Sequence, residues 1–328
     1  MTSIATTVNN RLQIDFQKAK ELVLRSHHAL LISHEYTDGD DLGSILALGA
    51  ALEYLGIKTS KVAKGGVPDS LLFLPGHSEV KDELPEDFES IHDLLITLGC
   101  ANLERTGLAE IAKWQGLILN IDHHTDTKMF GTVNVWDETM AANCELVYAM
   151  LKNWRLEIDK SMALNLLTGI FTDTGGFRHA NVKARTLEVA ADLLRKGAKI
   201  DLISRFTFSQ KDLPQLRLWA IALENARFDE VKKIIYTVVT EEDVAKAQAQ
   251  EDDLGGMVEL LNTIPEAKFS MLLKQRGEDI KGSLRSEPQK GVDVSEIARS
   301  LGGGGHKLAA GFKFKGKIIK TDTGWKIT

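Results

Sequence analysis

Seven ionisable side chains gather in three short motifs in the first half of the chain. His34, Asp38 and Asp40 stand in HEYTDGD, Asp122, His123 and His124 in IDHHTD, and Asp173 in FTDTGGF. Imidazole combined with several carboxylates suits hard or borderline divalent ions such as Mn²⁺ and Mg²⁺, and the absence of thiolate partners argues against a sulfur-ligated zinc site. In the first motif Gly39 separates two carboxylates, in a loop whose close approach to a ligand needs little side-chain bulk. Taken alone, DGD is also a common acidic turn, with Asp41 and Ser44 available to cap a following helix. In the second motif three adjacent ionisable groups at a sheet rim are costly to hold without a partner or ligand. Adjacent residues cannot all point one way, so His123 is assigned to a metal, His124 to substrate phosphate or proton transfer, and Asp122 to orienting its neighbours. In the third motif Thr172 and Thr174 are available to hydrogen-bond around Asp173, and Gly175 and Gly176 permit a sharp turn. Arg178 and His179 follow, facing either ligand or solvent.

These residues need a scaffold that brings distant segments to one rim. From about residue 20 to 200, short apolar runs alternate with amphipathic stretches. HALLIS, IKTSKVA, LLITL, LILNI and TVNVW read as strands. SILALGAALEYLG, LERTGLAEIAKW, ANCELVYAMLKNW and VKARTLEVAADLLRKG read as helices. That order is α/β, with a largely parallel sheet covered on both faces. Open sheets of this kind bind ligands at the carboxyl ends of their strands, where all three motifs are expected. LLITL ends in Gly99, where a further site position is expected and a carboxylate would fit.

After about residue 200 the rhythm changes. KDLPQLRLWAIALENARF reads as a connecting helix. KKIIYTVVT, KFSMLLKQRG and DIKGSLRS read as strands of a smaller α/β domain, and VDVSEIARSLG as a helix with a Ser or Asp cap. The expected organisation is a metal-binding domain over 1–200, a connecting helix and linker over 201–227, and a substrate-binding domain over 228–328, across a cleft. GGGGHKLAAG places His306 beyond four glycines, and the backbone donors of such a turn can cradle an anion. Arg285 and Ser286, in GSLRS, end a neighbouring strand, and Arg suits bidentate phosphate recognition.

Composition bounds the function classes. The 328 residues, 43% of them hydrophobic, can bury a substantial core. A formal charge of −6 and a pI near 5.9 argue against extensive binding to long duplex DNA, which needs many phosphate-neutralising cations. Short phosphorylated nucleotides or short single-stranded RNA remain compatible, since metal ions and a few basic side chains can serve them. Two cysteines give neither a disulfide framework nor a four-ligand zinc pattern. With no signal segment and no apolar run of membrane-spanning length, the expected location is the cytoplasm, without a membrane partner. No pattern specifies an oligomeric state.

HEYTDGDDLGS, IDHHTD and FTDTGGFRH resemble the first, third and fourth motifs of the DHH phosphoesterase superfamily. GSLRS and GGGGHKLAAG resemble its DHH-associated C-terminal domain, so the resemblance runs over roughly residues 20 to 316. It is nearest to the branch of bifunctional oligoribonucleases and pAp phosphatases. The resemblance implies His34 and Asp38 as ligands of one metal, and Asp40, His123 and Asp173 as ligands of a second. His124 then lies close to the scissile phosphate. Arg285 and His306 hold a terminal phosphate or nucleotide, Gly303, Gly304 and Gly305 shape that pocket, and Arg105 occupies the family position after the second motif.

The chain departs from the family at Gly99, where the resemblance calls for an aspartate bridging both metals. Its loss implies an impaired phosphoesterase, holding one ion where the family holds two. Asp41 is also unusual, since the family often has a small residue there. It is either a compensating oxygen or, on the helix-entry side, a cap or outward-facing charge. The expected function is metal-dependent hydrolysis of short nucleotides such as pAp, oligoribonucleotides or linear and cyclic dinucleotides. The alternatives are a non-hydrolytic nucleotide-binding protein and a manganese-dependent pyrophosphatase.

Overall fold

The run HALLIS is apolar on both sides of its alternation because both faces of the strand it forms, β1 (His28–Ser33), are covered. In this computed structural model, which describes residues 9–209, 212–321 and 324–328, the chain divides into two compact units, Met1–Gln210 and Lys211–Thr328. The first unit carries α1 (Asn10–Val23), β1, α2 (Gly39–Tyr54), β2 (Lys58–Val62), β3 (Val80–Lys81), the single turn α3 (Phe88–Ile91), β4 (Leu94–Leu98), β5 (Leu117–Asp122) and β6 (Val133–Trp136). Four helices complete it: α4 (Asn143–Asn153), α5 (Lys160–Asp173), α6 (Ala184–Arg195) and α7 (Ile200–Ser204). Six parallel strands lie in the order β3-β2-β1-β4-β5-β6. The chain reverses direction across the sheet between β1 and β4, the switch point beside which ligands bind in such sheets.

Alternation divides the sheet residues between two cores. Ala29, Leu31, Ile96, Leu98, Leu119 and Ile121 face the larger, shared with α1, α2, α4 and α5. Leu30, Ile32 and Leu95 face the smaller, closed by Phe88, Leu108, Ile111 and Trp114. The segment LERTGLAEIAKW, expected as a helix, is instead two 3₁₀ turns, Leu103–Thr106 and Ala109–Lys113. Gly107 separates them at φ +67°, left-handed backbone that ends a helix, so this face is covered by turns.

The apolar stretch SMALNLLTGIF lies within α5. Asp173 is therefore the last residue of a helix and not the start of a loop after a strand, so the third motif reaches the rim by helix packing. The close contact is at Gly169, where an added Cβ would stand 2.3 Å from Cys144 Sγ and 2.7 Å from Asp40 Oδ1. Only glycine lets α5 lie this near the first turn of α2, which brings Asp173 to Asp40.

In the second unit the strands β7 (Arg227–Asp229), β8 (Ile234–Thr240), β9 (Phe269–Arg276), β10 (Asp279–Arg285), β11 (Gly304–His306) and β12 (Ala309–Lys315) form a mixed sheet, β11-β12-β10-β9-β8-β7. Only β8 and β9 run parallel within it. Four helices, α8 (Leu213–Glu224), α9 (Glu241–Ala247), α10 (Met257–Asn262) and α11 (Val294–Ser300), and a hairpin of β13 (Ile318–Thr321) and β14 (Gly324–Ile327) complete it. The helix expected as a connector, α8, is part of this core: Leu218 and Ala222 are fully buried with Val239, Leu261 and Leu272. Asp293 caps α11, accepting from Ser295 N at 2.9 Å. Among the described residues no helix is long and apolar enough to cross a membrane.

Candidate metal centre

The first motif leaves β1 at His34 and enters α2 through a cap. Asp38 Oδ1 accepts from the backbone N–H groups of Asp40 and Asp41, at 2.9 and 3.0 Å. The cap is thus Asp38; Asp41 and Ser44, the sequence candidates, are both buried, and Ser44 Oγ meets Cys144 Sγ at 3.3 Å. Consecutive helical residues project about 100° apart, so Asp40 and Asp41 leave α2 in different directions.

Asp40 points to the N-terminus of α4. Its Oδ2 accepts from Asn143 N at 2.6 Å and its Oδ1 from Cys144 N at 2.8 Å, where the helix end favours a negative charge. His123 Nε2 lies 3.7 Å from Asp40 Oδ2 and 3.8 Å from Asp173 Oδ2. The ligand atoms of Asp40, His123 and Asp173 all lie within 4.8 Å of one another. These gaps are too wide for hydrogen bonds. They approach the separation of about 3 Å between neighbouring ligands that bond at ~2.1 Å.

Asp41 points into a second set with His34 and Asp38, whose ligand atoms lie within the same limit. His34 Nδ1 is engaged by Glu35 O at 2.7 Å, which turns Nε2 into the cluster, the arrangement common for a metal-ligating imidazole. Asp41 Oδ2 stands 2.6 Å from that Nε2 without hydrogen-bond alignment, and this buried oxygen has no hydrogen-bond partner. Asp41 is neither a cap nor an outward charge. Its Oδ1 lies 1.9 Å from where a Cβ on Gly99 would stand, and Gly99 itself holds φ +67°. The carboxylate expected at the end of β4 is missing there, but the space is filled by another one.

Asp122, fully buried at the end of β5, belongs to neither set. Its Oδ1 accepts from His123 N at 2.8 Å, His124 N at 3.2 Å and the His124 ring at Nδ1, 2.7 Å away, and its Oδ2 accepts from Thr127 Oγ1. The Trp136 indole donates to His124 O at 2.8 Å. Arg105 is exposed on a 3₁₀ turn, and its carbonyl accepts from Glu35 N at 2.8 Å, fastening the turn after β4 to the first motif. Arg178 Nε donates to Gly175 O at 2.7 Å, and the His179 ring packs over Gly175 with Nδ1 3.2 Å from Asp173 O.

The electrostatics are those of crowded carboxylates. Burial, then the charge of Asp38, pushes Asp41 up to about 8, against the opposing influence of His34. Burial raises Asp40 despite His123, and burial with the charges of Asp40 and Asp38 raises Asp173 well above the carboxylate range. For His34, burial opposes the proton, but the contact with Asp41 and the Glu35 carbonyl outweigh it and lift the imidazole to about 9. Burial works against ionisation of Asp122 too, yet the His124 and Thr127 bonds hold it below its ordinary value, and the same bond raises His124. Each set offers only nitrogen and oxygen donors, the chemistry that suits a hard or borderline divalent ion.

In the second unit the glycine-rich segment turns at Leu301–Gly302 and then forms a short edge strand, β11, before a second turn. β11 pairs with β12 at the sheet edge, His306 opposite Ala309. Ala309 is in turn opposite Arg285 of β10, so His306, Ala309 and Arg285 form one row on one face. Arg285 Nε bonds Glu259 Oε1 at 2.7 Å, and Ser286 Oγ donates to Lys268 O at 2.9 Å. A Cβ on Gly303 would stand 2.1 Å from Gly311 O and one on Gly305 2.6 Å from Ala309 O, so both are glycine to let β11 lie against β12. Gly304 faces open space. Asp41 and Thr127 are the site residues hardest to find from sequence: Thr127 carries no motif signal beyond lying near IDHHTD.

A parallel α/β unit with two donor sets at its rim, followed by a mixed-sheet unit with a basic edge row, is the architecture of a DHH-type protein. Residues 28–170 match the DHH family, N-terminal domain, and residues 231–322 match the DHHA1 domain. The chain is 35% identical over 287 residues to the bifunctional oligoribonuclease and PAP phosphatase NrnA of Thermus thermophilus, covering 87% of this chain and 84% of that one. The crystal structure of an exopolyphosphatase-related protein from Bacteroides fragilis is similar with a TM-score of 0.86 and 26% identity, over 93% of this chain and 92% of that one. RecJ from Thermus thermophilus in complex with Mn²⁺ shares the fold, with a TM-score of 0.54 at 16% identity over 92% of this chain and 52% of that one. This chain belongs to the DHH phosphoesterase family.

Proposed function

We propose that this protein is a cytoplasmic phosphoesterase that holds two divalent ions, Mn²⁺ or Mg²⁺, and hydrolyses phosphate esters of short nucleotides: pAp, short oligoribonucleotides, or linear or cyclic dinucleotides. The observation that carries it is the pair of donor sets, His34 with Asp38 and Asp41, and Asp40 with His123 and Asp173, issuing from adjacent residues of α2. Such ions, held by these residues, would polarise a phosphate and lower the pKa of a bound water. Asp122 fixes the His124 ring through Nδ1 and favours its protonated form, the form that would donate to a phosphate oxygen or to the departing oxygen as charge develops. In the second unit Arg285 and His306, in one row, with Ser286 and the segment Gly303, Gly304 and Gly305 beside them, would hold a nucleotide phosphate, and Arg105 is placed by its backbone bond beside the first motif. The relative named for oligoribonuclease and PAP phosphatase activities supports the substrate class.

The test is product release, followed by chromatography, from pAp, a short oligoribonucleotide, a cyclic dinucleotide and pyrophosphate, with Mn²⁺, Mg²⁺ or chelator. Metal-dependent cleavage of one of the nucleotides is expected. Nucleotide binding without turnover would replace this reading with a non-hydrolytic binding protein, and pyrophosphate cleaved faster than every nucleotide would replace it with a pyrophosphatase.

A further inference from the structure

We infer that Asp41 is a ligand of the ion held by His34 and Asp38, and that its carboxylate stands in the space from which a side chain at Gly99 would reach that ion. The inference rests on the metal-dependent reading above and deepens it. An acidic cluster alone would not carry it; three independent features of Asp41 do.

First, Asp38 takes the capping bonds of α2, so no helix-terminal duty accounts for Asp41. Second, Asp41 is 3% exposed, and its Oδ2 lies 2.6 Å from His34 Nε2 without a hydrogen-bond partner. The His34 ring is its close polar neighbour, yet no aligned hydrogen bond completes this buried carboxylate oxygen, which is the kind of donor a divalent ion satisfies. His34 Nδ1 is already bonded to Glu35 O, so the nitrogen facing Asp41 is the one left to ligate. Third, the strand end opposite supplies nothing: Gly99, at the switch-point end of β4, offers only backbone, and its missing Cβ is 1.9 Å from Asp41 Oδ1.

Positions 41 and 99 therefore share one volume. It can be filled from the helix or from the strand end, but not from both. The expectation that Gly99 leaves the site a carboxylate short is revised accordingly, because the carboxylate arrives from α2. Gly99→Asp would therefore not supply a missing ligand: with Asp41 in place the new side chain meets an occupied space and a left-handed backbone, and so disrupts the site.

Mn²⁺ titration calorimetry on chelator-stripped full-length protein, with electron paramagnetic resonance to count bound ions, tests this without reference to turnover. Wild type is expected to take two ions. Asp41→Asn, which removes charge and little shape, is expected to weaken one at least tenfold and leave the other unchanged. Gly99→Asp alone is expected to weaken the same ion. Asp41→Ala with Gly99→Asp is expected to recover the affinity that Asp41→Ala loses. Wild-type binding of both ions by Asp41→Asn overturns the inference while leaving the phosphoesterase reading intact. So does a double variant no tighter than Asp41→Ala when the other ion still binds normally, since that ion reports an intact fold. Should the double variant lose both ions, Asp41→Asn decides alone. A wild-type chain that takes up no Mn²⁺ sinks the phosphoesterase reading and this inference together.

Discussion

The donor sets of the first unit and the Arg285–His306 row of the second are both arrays of ionisable groups, but they hold their charge at opposite cost. At the sheet rim, Asp40 and Asp41 are buried beside Asp38, an oxygen of Asp41 lacks an aligned hydrogen bond, and the carboxyl groups of Asp40, Asp41 and Asp173 are driven towards neutrality. In the edge row His306 is exposed, and Arg285 already has a counter-charge in half-exposed Glu259. The first region crowds buried carboxylates against one another; the second is satisfied as it stands. A site built in advance against its own repulsion gains much from its ligand and suffers much from a lost ligand group. A self-neutralised surface must give up a bond before it takes a phosphate, so its variants should act weakly.

The sharpest break in that comparison would come from His123→Ala. It leaves Asp40 and Asp173 facing one another with no nitrogen donor between them. Even residues that only support metal ligands cost about 10- to 100-fold in affinity when removed, so loss of His123 should weaken one Mn²⁺ by at least about 100-fold. Calorimetry showing less than a tenfold change would mean that the Asp40 set is a hydrogen-bonded cluster and not a metal site.

How far such a site can be read from sequence depends on whether direction follows from pattern. The strands of the first unit were legible because parallel-sheet strands buried on both faces are short apolar runs, and HALLIS, LLITL and LILNI have no other plausible use. The helix expected in LERTGLAEIAKW failed at Gly107, whose left-handed backbone no periodicity reveals. SMALNLLTGIF, apolar nearly all round, did not disclose that Asp173 ends a helix. Asp41 was the hardest case. The first turn of α2, from Gly39 to Gly43, is buried on every side, so no polar face indicated whether Asp41 looked at solvent, at the helix end or at Gly99. In the second unit the short helices α9 and α10, at seven and six residues, lay below the length at which a period shows.

The rim's repulsion also sets a pH dependence. Burial and neighbouring charge raise Asp40, Asp41 and Asp173, and hydrogen bonding raises His34 and His124, so the folded, metal-free chain binds more protons than the unfolded chain between roughly pH 4 and 9. Stability from these groups is present at the low end of that window and lost as pH rises, since the unfolded chain there binds fewer protons than the native one. Asp122, shifted the other way, acts only below about pH 4, where the unfolded carboxylate begins to take protons. In chelator the melting temperature should therefore fall between pH 6 and 9, by ~2–4 °C for each kcal/mol lost. With saturating Mn²⁺ the fall should shrink or reverse, because the ion replaces protons on these ligands and binds more tightly as pH rises. Equal melting curves with and without Mn²⁺ at pH 9 would show that the rim's charge is not relieved by a cation.

The smallest expected effect lies in the edge row. Removing Arg285 as Ala should weaken a phosphorylated nucleotide by about 1–3 kcal/mol if the guanidinium makes a charge-assisted contact, while leaving Mn²⁺ affinity unchanged. The partner variant is more informative. Glu259 Oε1 holds Arg285 Nε at 2.7 Å, and both side chains are partly exposed, so their ion pair is worth no more than about 1 kcal/mol. Glu259→Ala releases Arg285 and removes a negative charge beside it, so affinity for pAp should rise by up to about fivefold, more at low salt than at high. Calorimetry at two ionic strengths checks both sign and salt dependence. A fall in affinity would mean that Glu259 positions Arg285 for the phosphate, in which case the second unit, like the first, is built in advance for its ligand and the contrast between the two regions disappears.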